Sequence, residues 1–246
     1  MSKSEREDIH NSEIPVVCQA CEARHGGICG ALSPSQLSEL AKHTQRTAHE
    51  SDTVLKAANS DNEHFANVLG GVIKLTKLMP DGRQQIVGLQ FAPDFLGRPY
   101  SKDHNLIAEA ATDIRLCRFP KSVLERFIEG SPEMEQRLHE QHMRELDEAR
   151  DWMLTLGRKT AIEKVASFLI LIARHIDPEK EQAEKDLEIE LPLKRNDIAD
   201  FLGLTIETVS RQLTNLKKRG LINIDNRRYV TILDMDKLEY LASNLD

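Results

Sequence analysis

The chain has 246 residues, a formal net charge of −7, 40% hydrophobic and 30% charged residues, which suits a soluble globular protein of one large or two ordinary domains. The first ten residues contain no apolar signal-peptide core, and the longest uninterrupted apolar run, Phe168 to Ala173, is far too short to span a bilayer. Neither export nor a membrane partner is therefore expected, and the expected compartment is the cytoplasm, where thiols stay reduced.

Taken in chain order, residues 1–30 lack regular apolar periodicity and hold three cysteines (Cys18, Cys21, Cys29) with three glycines (Gly26, Gly27, Gly30). They read as a loop wrapped on a larger body. The fourth cysteine, Cys117, follows 88 positions after Cys29. Four thiolates can ligate one cubane iron–sulfur cluster or one tetrahedral Zn²⁺, and the pair Cys18-x-x-Cys21 also admits a thiol–disulfide switch. His25, His139 and His142 read as surface histidines.

Residues 31–130 read as a sensory domain. Ser33-Pro34-Ser35-Gln36 opens a short helix with Leu37 and Leu40 inward. From about Glu50 to Arg118 the pattern is of short strands: Val54–Lys56, Phe65–Leu69, Val72–Leu78, Arg83–Leu89 and Ile114–Arg118. Turn signals at Gly70-Gly71 and Pro80-Asp81-Gly82 punctuate them, as in an antiparallel barrel or roll. Ser131-Pro132-Glu133 then starts a long helix over about 131–157. Its Leu146, Ala149, Met153 and Leu156 recur at spacings of 3, 4 and 3, the seam of a dimerisation helix. Another helix runs from after Gly157 to about Ile176, and an acid-rich connector leads to a short strand at Leu187 to Leu191.

Residues 158–246 read as a DNA-binding domain. Within Asp197–Arg211, Ala199 is small where two helices cross, Gly203 permits a tight turn, and Val209 returns to the shared core. Thr205 caps a second helix that exposes Glu207, Thr208, Ser210 and Arg211 near its N-terminus, where a recognition helix meets base edges. Arg211 suits guanine, Glu207 a cytosine amino group, and Ser210 a base or phosphate. Lys217-Lys218-Arg219-Gly220 ends that helix with cations, and Leu221–Ile224 with Arg228–Ile232 reads as a hairpin wing. Between Lys194 and Val230 eight basic and four acidic residues give +4, leaving −11 elsewhere: a local phosphate-binding surface on an acidic protein. No phosphate loop and no supported Ser/His/Asp arrangement appears, so an enzyme is not expected.

On these residues the whole chain resembles the CRP/FNR family of bacterial transcription regulators. The fold this implies is α+β: an N-terminal β-roll resembling a cyclic-nucleotide-binding domain, a long dimerisation helix and a C-terminal winged helix-turn-helix. Glu207-x-x-Ser210-Arg211 is similar to the recognition signature of the FNR branch, which reads a TTGAT…ATCAA inverted repeat in double-stranded DNA. The resemblance makes Glu207, Ser210 and Arg211 the base contacts. It also implies a 4Fe-4S cluster on Cys18, Cys21, Cys29 and Cys117, intact without oxygen and supporting a DNA-binding homodimer. The Cys-x2-Cys-x7-Cys spacing, Pro93–Pro99 and Trp152–Thr160 look like the rhizobial and phototroph subgroup. A cyclic nucleotide is not expected, because Phe95–Pro99 through Asn105–Ala108 has no Arg-Ser or Arg-Thr pair. The turn Pro80–Arg83 resembles the family's hairpin for RNA polymerase.

Overall fold

The computed structural model describes residues 14–57, 64–97, 106–176, 186–226 and 228–243. The chain divides into two compact units, Met1–Lys77 with Gly88–Asp147, and Leu78–Val87 with Glu148–Asp246.

The first unit is a roll of two four-stranded sheets. One has the order β1 (Gln45–His49), β8 (Ile114–Pro120), β3 (His64–Gly70), β6 (Phe95–Leu96). The other has β2 (Val54–Lys56), β7 (Ile107–Ala110), β4 (Ile73–Leu78), β5 (Gln84–Gln90). Side chains alternate across a strand, and in the first sheet both faces are apolar. Ala66, Val68, Ile114 and Leu116 face a core shared with Ile73, Ala108 and Ala110. Phe65, Phe95 and Phe119 face the other way, with ring centroids 5.5 and 6.1 Å apart along the row. A buried cross-strand ion pair, Lys74–Glu109 at 2.9 Å, joins β4 to β7.

The second apolar face is covered by the N-terminal segment. Sequence alone suggests a loop there; the structure shows short helices α1 (Val16–Gln19) and α2 (Glu22–His25) and a 3-10 turn at Ile28–Ala31. The correction follows from Ala23, Ile28 and Cys29, which are buried and give these short turns an inward side. Gly27 is required by close approach: a Cβ there would meet the carbonyls of Ala23 and Pro93 at 2.9 Å. Helix α3 (Pro34–Ala41) starts as expected. Ser33 accepts from the Gln36 amide while the Gln36 side chain accepts from the Ser33 amide, a closed capping box. Leu37 and Leu40 complete the cluster with Met134 and Leu138 of the long helix α5 (Pro132–Arg158) and with α4 (Lys121–Glu129).

The second unit is built on α6 (Ala161–Ile176), β9 (Leu187–Glu190), α7 (Arg195–Leu202), α8 (Ile206–Lys218), β10 (Ile222–Asp225), β11 (Tyr229–Ile232) and α9 (Met235–Ser243). Strands β10 and β11 form the expected hairpin, and β9 adds a third strand beside β11. Phe201 of α7 packs on Trp152 of α5 at 4.5 Å and on Phe168 of α6 at 6.0 Å. Within this unit Gln84 donates to the Asp200 carboxylate (2.6 Å), and Gln85 to the Phe201 carbonyl (3.0 Å).

Phe95 is fully buried at the centre of the aromatic row, so Phe95→Ala is expected to cost ~3–5 kcal/mol, read as a lowered urea midpoint with unchanged slope.

Candidate functional site

The four cysteines come together in the first unit. Cys18 lies on α1, Cys21 caps α2, Cys29 lies in the 3-10 turn, and Cys117 is on β8, the strand paired on both sides in its sheet. All four line one cavity of about 270 Å³, with Arg24, Thr44, Arg46, Asn67 and several apolar side chains. None is in a disulfide. Among the described residues no carboxylate or imidazole lines the cavity, so its anionic donors are the four cysteine sulfurs. Among the described residues no three His, Cys, Asp or Glu side chains close on a single ion.

The setting disfavours bare thiolates. Burial and then the neighbouring Cys117 and Cys21 push the Cys29 thiol well up, against a hydrogen bond from Asn67 that pulls it down. Burial and then Cys21 and Cys18 push Cys117 up to about 11, while Arg46 and Thr44 favour its charged form. Burial also raises Cys18. A bound cation would relieve this mutual repulsion.

Sequence reasoning missed Asn67 and Arg46. Both become visible only through register: on the two strands flanking β8, Arg46 of β1 and Asn67 of β3 are the direct partners of Cys117. Asn67 is fully buried and donates from Nδ2 to Cys29 Sγ at 3.2 Å, while its Oδ1 has no partner among the described residues. The Arg46 guanidinium donates to the Val17 carbonyl on α1.

The second candidate element is the helix pair α7–α8. Gly203 sits between the helices in the left-handed region, φ 60° and ψ 42°. Thr205 caps α8, its Oγ1 accepting from the Thr208 amide at 3.2 Å and lying 3.1 Å from the Thr208 hydroxyl. Val209, Leu213 and Leu216 are buried with Ala199 of α7. Glu207, Ser210, Arg211 and Lys217 are exposed and Thr208 is half-buried. Its own backbone amide and the Thr205 hydroxyl hold the Glu207 carboxyl below the usual range, so it presents an acceptor. Lys217 reaches back to the wing, 3.4 Å from the Ile224 carbonyl.

On α5, Leu146, Ala149 and Met153 are exposed and Leu156 is half-buried. No helix among the described residues is long and apolar enough to cross a membrane.

A roll, a long helix and a winged helix-turn-helix define a DNA-binding transcription regulator. Comparison with known proteins agrees: residues 45–131 match the cyclic nucleotide-binding domain model and residues 163–241 the Crp-like helix-turn-helix domain model. A Rhizobium leguminosarum bv. viciae protein named "Probable transcriptional activator" is 53% identical, covering 97% of this chain and 98% of its own. The transcriptional activator protein FnrL of Cereibacter sphaeroides is 37% identical, covering 92% and 93%. The solved structure of FixK2 from Bradyrhizobium japonicum has a TM-score of 0.74 at 30% identity, covering 82% of this chain and 99% of that one. The chain belongs to the CRP/FNR family, as a transcriptional activator of the FNR/FixK type, and is not an enzyme.

In the metal-free protein Cys117 contributes to the pH dependence of stability, beside Cys18 and Cys29, whose thiols burial also raises. The Cys117 thiol ionises near 9.0 when unperturbed and about 11 in the fold. The unfolded chain therefore loses this proton first, and stability present below pH 9 declines as pH rises toward 11. Cys117→Ser removes the ionisation, so its urea stability is expected to fall less than wild type between pH 8 and 10.5.

Proposed function

We propose that this activator responds to oxygen through a 4Fe-4S cluster held by Cys18, Cys21, Cys29 and Cys117. The carrying observation is that all four cysteines line one cavity although Cys117 lies 88 positions after Cys29. Four cysteine thiolates are the ligand set of a 4Fe-4S cluster. When bound, the cluster supplies an oxygen-labile tie between the N-terminal segment and the roll.

The chain's own residues supply a route from that tie to the long helix. Cys29 belongs to the same apolar cluster as Met134 and Leu138 of α5. Arg137 of α5 donates to the Gly27 carbonyl at 3.3 Å. Displacing the cysteine segment would thus disturb the first turns of α5. Farther along α5, the exposed side chains of Leu146, Ala149 and Met153, together with Leu156, form an apolar seam suited to a second copy of the chain. Such a homodimer presents two recognition helices about 34 Å apart to an inverted-repeat operator. Glu207, Ser210 and Arg211 then read base edges, with Thr205, Thr208 and Lys217 near the phosphates. The exposed turn Pro80–Arg83, braced by an Asp81–Arg83 ion pair at 2.8 Å, is the proposed RNA polymerase contact. The cytoplasm is the compartment this reading requires.

Two substitutions separate sensing from reading. Anaerobically isolated wild type should carry iron and sulfide and absorb broadly near ~400 nm; a colourless protein holding one zinc per chain would refute the cluster. Cys117→Ala should lose the cluster and anaerobic operator binding while keeping its circular dichroism. Arg211→Ala should keep the cluster and lose ~1–3 kcal/mol of operator affinity in gel-shift titrations.

A further inference from the structure

Cys117 is flanked on its sheet face by two polar side chains that the roll itself does not need. Residues directly opposite on neighbouring strands share a face, so Arg46, Cys117 and Asn67 form a row across β1, β8 and β3. All three line the cysteine cavity. Next along β3 and β8 on that face come Phe65 and Phe119, both buried and directly paired with each other. An apolar residue at position 67 would continue this aromatic surface. Instead an asparagine is fully buried there, and among the described residues its Oδ1 has no hydrogen-bond partner, an arrangement that normally costs ~1–3 kcal/mol.

The geometry indicates why it is kept. Asn67 Nδ2 donates to Cys29 Sγ at 3.2 Å. A ligating thiolate has no proton and can only accept, so an amide N–H is the partner it needs. Arg46 completes the other end. It holds α1 through the Val17 carbonyl, and its charge favours the thiolate forms of both Cys18 and Cys117.

We propose that Asn67 and Arg46 are positioning residues that act through the cysteines to raise the reduction potential of the bound cluster. The assignment rests on the cluster reading above. Hydrogen bonds and positive charge at cluster sulfurs stabilise the more negative, reduced state and so raise the potential. Burial of the cavity strengthens both effects, because water competes little for the thiolates.

The test is a redox titration of the full-length protein reconstituted anaerobically with ferrous iron and sulfide. Asn67→Leu keeps the branched shape, with a somewhat larger side chain, and removes the donor. It is expected to bind iron and sulfide as wild type does, with a midpoint potential lower by the equivalent of about a tenfold change in oxidised-to-reduced ratio, ~59 mV for one electron. Asn67→Thr keeps a hydroxyl donor and should shift less. Arg46→Gln keeps a donor for Val17 but removes the charge, and should also shift the potential down. If Asn67→Leu does not load, Asn67→Thr and Arg46→Gln decide. Loaded variants that titrate at the wild-type potential overturn the assignment while leaving the cluster reading intact. A wild type that takes up no iron and sulfide overturns that reading and the assignment with it.

Discussion

The structure of the first unit turns on one constraint: the sheet β1–β8–β3–β6 is apolar on both faces, and only one of them can be covered from inside the roll. Ile114 and Leu116 fill the interior. Phe119 on β8, with Phe65 and Phe95, would lie open to water unless the chain returned to cover them. The N-terminal segment does so, with Ile28, Leu32, Leu37 and Leu40 as its buried side. Covering the aromatic row carries Cys29 to Asn67 and brings Cys18 and Cys21 toward Cys117. The cysteine cavity is therefore a product of hydrophobic packing rather than of a local loop, and any group held there is linked to the apolar contacts of α3, α4 and α5.

The second unit uses a different economy of contacts. Phe201 is shared among Trp152 of α5, Phe168 of α6 and the body of α7, so the helix that braces the recognition helix is itself fixed by the end of the long helix. The recognition helix needs only three buried residues, Val209, Leu213 and Leu216, and apart from the exposed Ile206 its other side chains are polar. The local excess of basic residues sits on this small unit and not on the acidic remainder of the chain. Long-range attraction to DNA thus comes with an orientation, since only one part of the molecule is drawn to phosphate.

Much of this was legible in the amino-acid order. Ser33, Ser131 and Thr205 marked true helix starts because capping is local chemistry. Ala199, Gly203 and Val209 occupy the crossing, turn and core positions their spacing implied. Less local features were hidden. Strand β1, Gln45-Arg46-Thr47-Ala48-His49, has no apolar alternation and is a strand only because β8 pairs with it. Strand β7, Ile107-Ala108-Glu109-Ala110, uses residues common in helices and is held by β4 and β2. The N-terminal turns were hidden because each is shorter than a periodic pattern can reveal. The cysteines were visible as a set, but Asn67 and Arg46 carry no motif; cross-strand register alone makes them neighbours of Cys117.

The hairpin between β4 and β5 carries one more consequence. Its tip, Leu78–Val87, counts with the C-terminal unit, where Gln84 and Gln85 bond to Asp200 and Phe201 on α7. The DNA-reading unit is thus discontinuous along the chain, with a short insert supplied from sixty residues upstream of its main body. A fragment cut at the long helix would lack the two glutamine donors that Asp200 and Phe201 of α7 accept from. The reading head of this regulator cannot be excised as a single stretch of sequence without losing part of its own scaffold.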